Sequence, residues 1–112
     1  MSSDIRVEYN KLCTQVCYCL QRNGLNVERA VVEAEIMVEA DLHNVPSHGV
    51  RRLPYLLLAL QNGVITKSPM TKIEREFGAI AIVDYDNGSG RYDALAAMSQ
   101  AMNCAKEFGI EI

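Results

Sequence analysis

Four residues within a short central segment could carry chemistry on a small acidic substrate: Ser47, His48, Arg52 and Tyr55. A histidine can give or take a proton near neutral pH, and an arginine can bind a carboxylate through two parallel hydrogen bonds. Ser47 could hydrogen-bond the same substrate or orient the imidazole, and Tyr55 could reach the site. The competing interpretation is structural, because a Ser-His pair beside a helix end is more often only a cap.

Pro46 is expected to set the local structure of this segment. Proline lacks a backbone N–H and disfavours helical geometry in the residue before it, so the preceding helix should end at position 44 or 45. Ser47 would then cap the next helix and place His48 at its first position, where the helix dipole favours a neutral imidazole. Arg52 would lie on the same helical face, four residues later.

Two helices should precede the segment and pack as antiparallel neighbours. Apolar residues recur at helical spacing over residues 3–23, and Gly24 is a natural helix end. Asn26 is a good N-cap for the second helix, which carries an apolar face. The four glutamates of that second helix, Glu33 among them, are expected on a solvated face. Asp41, near its end, either supports the site or belongs to a polar helix end.

The remaining elements are a third helix, a hairpin and a fourth helix. The third helix should run from position 47 to about 62, with Pro54 either kinking it or leaving the motif as a separate first turn. Thr71–Phe77 and Ala79–Val83 favour a short β-hairpin. Asp86–Gly90 then turns the chain into a helix that ends at Gly109, before a new strand over 110–112. A glycine-rich turn that opens a helix can hold an anion on its N–H groups. This turn lacks the Gly-x-Gly-x-x-Gly pattern and a surrounding βαβ unit, so we favour a plain strand-to-helix turn.

Composition and cysteine spacing exclude several classes of protein. The net charge of −3 argues against a nucleic-acid partner, and no apolar run approaches the roughly 18 residues of a membrane span. The polar start lacks a signal-peptide core, so we expect a cytoplasmic protein. Cys13, Cys17, Cys19 and Cys104 do not follow a zinc-site spacing, and we predict reduced thiols and no metal site.

Two motifs resemble segments of one enzyme family. Pro46–Pro54 is similar to the Ser-His-Gly-x-x-Arg-Leu-Pro segment of the malate/L-lactate dehydrogenase family, which is unrelated to the Rossmann dehydrogenases and includes ureidoglycolate dehydrogenase and 2,3-diketogulonate reductase. Val83–Gly90 is similar to its Asp-Gly-Asp-x-Gly-x-Gly-Gln segment, although Tyr85 stands where glycine is common and Arg91 where glutamine is usual. The resemblance covers nearly the whole chain, as the N-terminal portion of such a protein.

The resemblance implies an α+β, mostly α fragment of a larger α/β enzyme, with a helical segment at 1–68 and the start of the α/β domain at 69–112. It implies a homodimeric oxidoreductase that uses NAD or NADP to interconvert a 2-hydroxy acid and a 2-oxo acid, with most of the cofactor site outside this chain. His48 matches the family's proton donor/acceptor, and Arg52 matches the arginine that grips the substrate carboxylate. The 112 residues alone are expected to be inactive.

A non-catalytic alternative stays open from the residues themselves. Three amphipathic helices and a hairpin could form a small interaction or dimerisation module, whose remaining apolar face pairs with another copy or with a further domain. Dehydrogenase activity in the complete protein would distinguish the two interpretations.

Overall fold

A computed structural model describes residues 6–109, so the predicted helix start at position 3 and the predicted strand over 110–112 lie outside the described residues. The elements in chain order are α1 Tyr9–Arg22, α2 Val27–Leu42, two 3-10 turns at Pro46–His48 and Val50–Arg52, α3 Leu53–Gln61, β1 Lys72–Phe77, β2 Ile80–Asp84 and α4 Gly90–Phe108. The chain is therefore α+β and mostly α, as predicted. No helix among the described residues is long and apolar enough to cross a bilayer.

The core lies between α1, α2 and α3. Apolar side chains at helical spacing on α1 and α2 face each other, which confirms the predicted helix pair. Among residues 6–109 the buried members of this core are Val16, Leu20, Leu25, Ala30, Ala34, Met37, Val38, Leu56 and Leu60. Within the described residues the first helix begins at Tyr9, the residue with which the apolar stripe that packs on the core starts.

The first three helices end in the same backbone motif. Gly24, Asn44 and Gly63 follow the helix caps with φ angles of +100°, +61° and +75°. The next residue in each case donates its N–H back to the helix, over 3.1, 2.7 and 2.9 Å respectively. These are Schellman ends, which satisfy carbonyls of the last turn. The chain leaves α2 abruptly at Asn44 and enters the Ser-His segment.

The third helix differs from the prediction. It begins at Leu53 and not at Ser47, and the motif before it forms two separate 3-10 turns in place of a kinked helix. Pro54 occupies the first turn of α3, where a missing N–H leaves no helical hydrogen bond unmade. The second of the two alternatives, a separate turn, is therefore the one that the chain adopts.

The hairpin and α4 follow as expected. β1 pairs antiparallel with β2, from Lys72 opposite Asp84 to Phe77 opposite Ile80, with one register irregularity between positions 73 and 75. Gly78 turns the chain with φ at +58°. The fourth helix, α4, ends where predicted, with Gly109 as its left-handed cap at φ +84°.

Candidate substrate site

The four candidate residues lie on one exposed segment between the end of α2 and the first turn of α3. Ser47 and His48 belong to the first 3-10 turn, Arg52 ends the second, and Tyr55 lies on α3. All four side chains are exposed, so a small molecule can reach each of them. The sharp end of α2 and the buried α3 leucines hold this segment at the edge of the helical core.

Arg52 and Tyr55 contact each other. The guanidinium carbon of Arg52 lies 5.3 Å from the centre of the Tyr55 ring, within cation–π range. An exposed contact of this kind contributes about 0.5–1 kcal/mol. The ring therefore limits the orientations that the Arg52 guanidinium can take.

Three local predictions for this segment are wrong. Val45 occupies the N-cap position of the first turn, Pro46 its first position, and the Ser47 side chain makes no capping bond there. His48 ends that turn, so it does not stand at a helix N-terminus and the dipole argument does not apply to it. Gly49 is extended, at φ −88° and ψ −159°, and this break means that Arg52 does not lie one helical turn above His48.

Asp41 contacts the motif from the last turn of α2. Its Oδ2 accepts a hydrogen bond from the backbone N–H of Val50 over 2.9 Å. Gly49 is buried against the same carboxylate, which leaves no room for a Cβ atom at this position. Asp41 is therefore in direct contact with the backbone of the motif.

The glycine-rich turn does not form an anion cradle. The N-terminus of α4 is already occupied by the carboxylate of Glu33, which accepts the N–H of Tyr92 over 3.0 Å and the guanidinium of Arg91 over 3.3 Å. A negative group at a helix N-terminus satisfies free N–H groups and interacts favourably with the dipole. Glu33 is fully buried, so the prediction that it lies on a solvated face is wrong.

A second buried ion pair lies beside this carboxylate. Arg29 pairs with Asp93 over 2.9 Å and donates to the Ser89 hydroxyl over 3.1 Å, while its guanidinium lies 4.4 Å from the Tyr92 ring centre. A Cβ added at Gly88 would come within 2.9 Å of Asp93, Arg29 and Pro69. The glycine therefore permits close packing over the ion pair. Sequence reasoning missed the roles of Arg29 and Glu33, because the partners of both side chains lie on or next to α4, about 60 residues along the chain.

The cysteines are thiols, and within residues 6–109 no three acidic, histidine or cysteine side chains gather as metal ligands. Burial raises the pKa of Cys13 and of Cys17, and the nearby Glu35 carboxylate acts in the same direction. Both thiols are therefore protonated at neutral pH and poor nucleophiles.

Comparison with known proteins connects this arrangement to one family. The family model described as malate/L-lactate dehydrogenase matches residues 7–112. L-sulfolactate dehydrogenase from Methanocaldococcus jannaschii is 37% identical over 83% of this chain and 27% of its own length. Malate dehydrogenase from Pyrococcus horikoshii is 33% identical over 96% of this chain and 30% of its own. Ureidoglycolate dehydrogenase (NAD(+)) from Escherichia coli is 30% identical over 92% of this chain and 27% of its own.

Solved structures agree with the fold. The malate dehydrogenase of Pyrococcus horikoshii superimposes with a TM-score of 0.92, over 96% of this chain and 31% of that one. The sulfolactate dehydrogenase of Methanocaldococcus jannaschii superimposes with a TM-score of 0.86 at 32% identity, over 91% of this chain and 30% of that one. The chain thus spans less than a third of the length of these relatives.

Proposed function

Because the chain belongs to the malate/L-lactate dehydrogenase family, we propose that it is the N-terminal part of an oxidoreductase that interconverts a 2-hydroxy acid and a 2-oxo acid. The proposal includes a homodimer and a division at position 68, with the helical segment before it and the start of an α/β domain after it. Arg29 on α2 pairs with Asp93 on α4 across that division, so the two parts pack against each other.

The observation that carries the proposal is an exposed arginine, stacked on Tyr55, on the same short segment as an exposed histidine. Arg52 binds the substrate carboxylate through two parallel hydrogen bonds. His48 accepts the hydroxyl proton on one of its ring nitrogens when the hydroxy acid is oxidised, and returns it to the oxo oxygen in reverse. Ser47 hydrogen-bonds the substrate or orients the imidazole, and Tyr55 holds the guanidinium.

The described residues do not fit a nicotinamide dinucleotide by themselves. The glycine-rich turn is the place where the sequence could have offered helix N–H groups to a phosphate, and Glu33 already accepts one of them. The dinucleotide, NAD or NADP, supplies or accepts the hydride in such a reaction. We propose that the rest of the protein supplies most of its binding site.

The first test is the intact mass of the natural gene product, followed by activity. We expect a mass well above the 12.5 kDa of this chain. The protein should then oxidise NADH or NADPH in the presence of the 2-oxo acids that correspond to malate, lactate and sulfolactate. A natural product of 12.5 kDa that turns over none of these acids would contradict the proposal.

His48→Ala tests the proton step in the same protein, with His43→Ala as the matched control. His43 is also exposed but caps α2 outside the motif. Loss of a general acid/base lowers turnover by about 100-fold or more, and the control should stay near the wild-type rate. Turnover of His48→Ala within a few-fold of wild type would remove this residue from the mechanism.

A dimerisation module is the second candidate, and exposed apolar side chains favour it. On α4, Leu95, Met98 and Met102 are 50%, 59% and 58% exposed. Surfaces of this kind mark contact with a further domain or another copy. Sedimentation of this 112-residue chain, with and without Met98→Lys, tests the idea: a dimer that the substitution dissociates supports it, and a monomer throughout contradicts it.

A further inference from the structure

We propose that Asp41 is a positioning residue for the substrate site, and that its carboxylate fixes the turn that carries Arg52 relative to the turn that carries His48. The expected effect on catalysis rests on the proposed function, whereas the contact between Asp41 and the turn does not. Asp41 belongs to α2, whereas both functional side chains lie beyond the helix end. It is therefore a link between the rigid core and the site.

The contact lies at the break between the two 3-10 turns. The first turn ends at His48, Gly49 is extended, and Val50 begins the second turn with its N–H bonded to Asp41 Oδ2 over 2.9 Å. The first N–H groups of a helical segment lack partners within it, so a carboxylate there is favourable. Arg52 ends this same turn, two residues after the bonded N–H.

Gly49 makes the contact a close one. Its backbone φ of −88° is open to any residue, so conformation does not explain the glycine. The lack of space explains the glycine, because a Cβ atom at this position would collide with both carboxylate oxygens of Asp41. The carboxylate thus packs directly on the peptide between the two turns and limits how far they can move apart.

Position on α2 is the second, independent observation. Asp41 lies in the last turn of a helix that carries no basic residue there, where a negative charge opposes the helix dipole. Its own carbonyl also accepts the N–H of Asn44 over 3.0 Å, so one residue holds the helix end and the site segment together. A local preference broken in this way is typical of a functional position.

The test combines amide exchange with steady-state kinetics on the full-length protein. In Asp41→Ala the Val50 amide should exchange at least about 10-fold faster, since its acceptor is lost. kcat/KM should fall about 10- to 100-fold through both a higher KM for the acid and a lower kcat, because small misplacements of binding groups are costly. Asp41→Asn keeps an acceptor oxygen and should recover most of the activity. Glu39→Ala, an exposed acid two residues earlier on α2, is the control and should change neither quantity.

Gly49→Ala is the second variant and approaches the contact from the other side. It should lower kcat/KM like Asp41→Ala, and the double variant should be no worse than Asp41→Ala, because the carboxylate that the new Cβ meets is gone. Additive losses would overturn the proposal.

The outcomes separate the contact from the reaction. Unchanged Val50 exchange in Asp41→Ala overturns the inference whether or not the protein is active. Faster exchange with unchanged kcat/KM overturns the positioning role. A lower kcat with unchanged KM also overturns it, because a smaller folded fraction gives that result. If the wild-type protein oxidises no hydroxy acid, the proposed function fails, while the exchange rate at Val50 still decides the contact.

Discussion

At the residue scale, the proposed site depends on the shape of one guanidinium as well as on its charge. Arg52 stacks on Tyr55, and a planar guanidinium can do this while it presents two N–H groups to a carboxylate. A lysine keeps the charge but loses the two-point contact. The neighbouring Arg51 carries the same charge on the same 3-10 turn and gives a matched comparison.

We predict that Arg52→Lys raises KM for the acid by about 10-fold or more in the full-length protein, since a bidentate site does not accept lysine as an equivalent. Arg51→Lys should leave KM for the acid within a factor of two. KM for the dinucleotide should also stay within a factor of two in both variants, because neither arginine is proposed to bind it. Equal effects of the two substitutions would show that net charge, and not the Arg52 geometry, attracts the substrate.

The two half-buried thiols of α1 predict a pH dependence of stability. Burial raises the pKa of Cys13 and of Cys17 above the ordinary value of 9.0. As the pH rises, the two thiols lose their protons in the unfolded chain before they do so in the folded chain. Deprotonation therefore favours the unfolded state. The free energy of unfolding is at its full value below the ordinary thiol pKa of 9.0 and falls above it. Urea unfolding between pH 7 and pH 10.5 should show a falling free energy of unfolding above about pH 9. The slope should become shallower in Cys13→Ala/Cys17→Ala, and an unchanged slope would contradict the assignment.

At the element scale, the glycine-rich turn allows close packing against a buried ion pair. Gly88 lies against the buried pair of Arg29 and Asp93, whereas a Cβ on Gly90 would meet no other atom within 4 Å. Gly90 is also the first residue of α4, where alanine is a better helix former than glycine. Two glycines of one turn thus differ in what they contribute.

We therefore predict that the two alanine variants differ in stability. Gly88→Ala should lower the free energy of unfolding by about 1–3 kcal/mol, the usual cost of overpacking a close contact. Gly90→Ala should leave it unchanged or raise it by up to about 1 kcal/mol. Thermal or urea unfolding of both variants measures this, and a destabilised Gly90→Ala would instead indicate that the turn needs glycine for its backbone conformation.

The elements show how far the sequence predicts this fold. Local signals were sufficient where one residue decides the structure: Asn26 caps α2 through its side chain, and Gly24, Gly63 and Gly109 end their helices. They failed where a distant residue intervenes. The Ser47 cap was wrong because proline takes the first position of its turn and the Asp41 carboxylate caps the next one.

The candidate site shows the same division. The motif at 46–54 identifies the segment and the residue types without structural knowledge. The burial of Glu33 does not follow from its own helix, because its partners lie 58 and 59 residues away on α4. The periodicity of α2 does not distinguish Glu33 from the other glutamates of the helix. Glu33 is a buried acceptor because α4 packs against it.

At the scale of the whole molecule, the chain is elongated and unevenly packed. It measures 56 × 30 × 20 Å with a radius of gyration of 16.4 Å, against about 13 Å for a compact domain of this length. The buried apolar residues lie on α1, α2, α3 and the link between the first two. The hairpin packs chiefly against itself, and Phe77 at its tip is 77% exposed.

This uneven packing predicts two levels of stability in the 112-residue chain. A two-stranded hairpin is marginal in water without a packed face, so amides of β1 and β2 should exchange at least about 100-fold faster than those around Leu20 and Met37 in the core. Hydrogen exchange read by NMR at low protein concentration measures the difference. Raising the concentration is the control, because a second copy that covers the hairpin would protect it. Equal protection of hairpin and core at high dilution would contradict the prediction, since it requires a stabilising contact beyond those that residues 6–109 make with the hairpin.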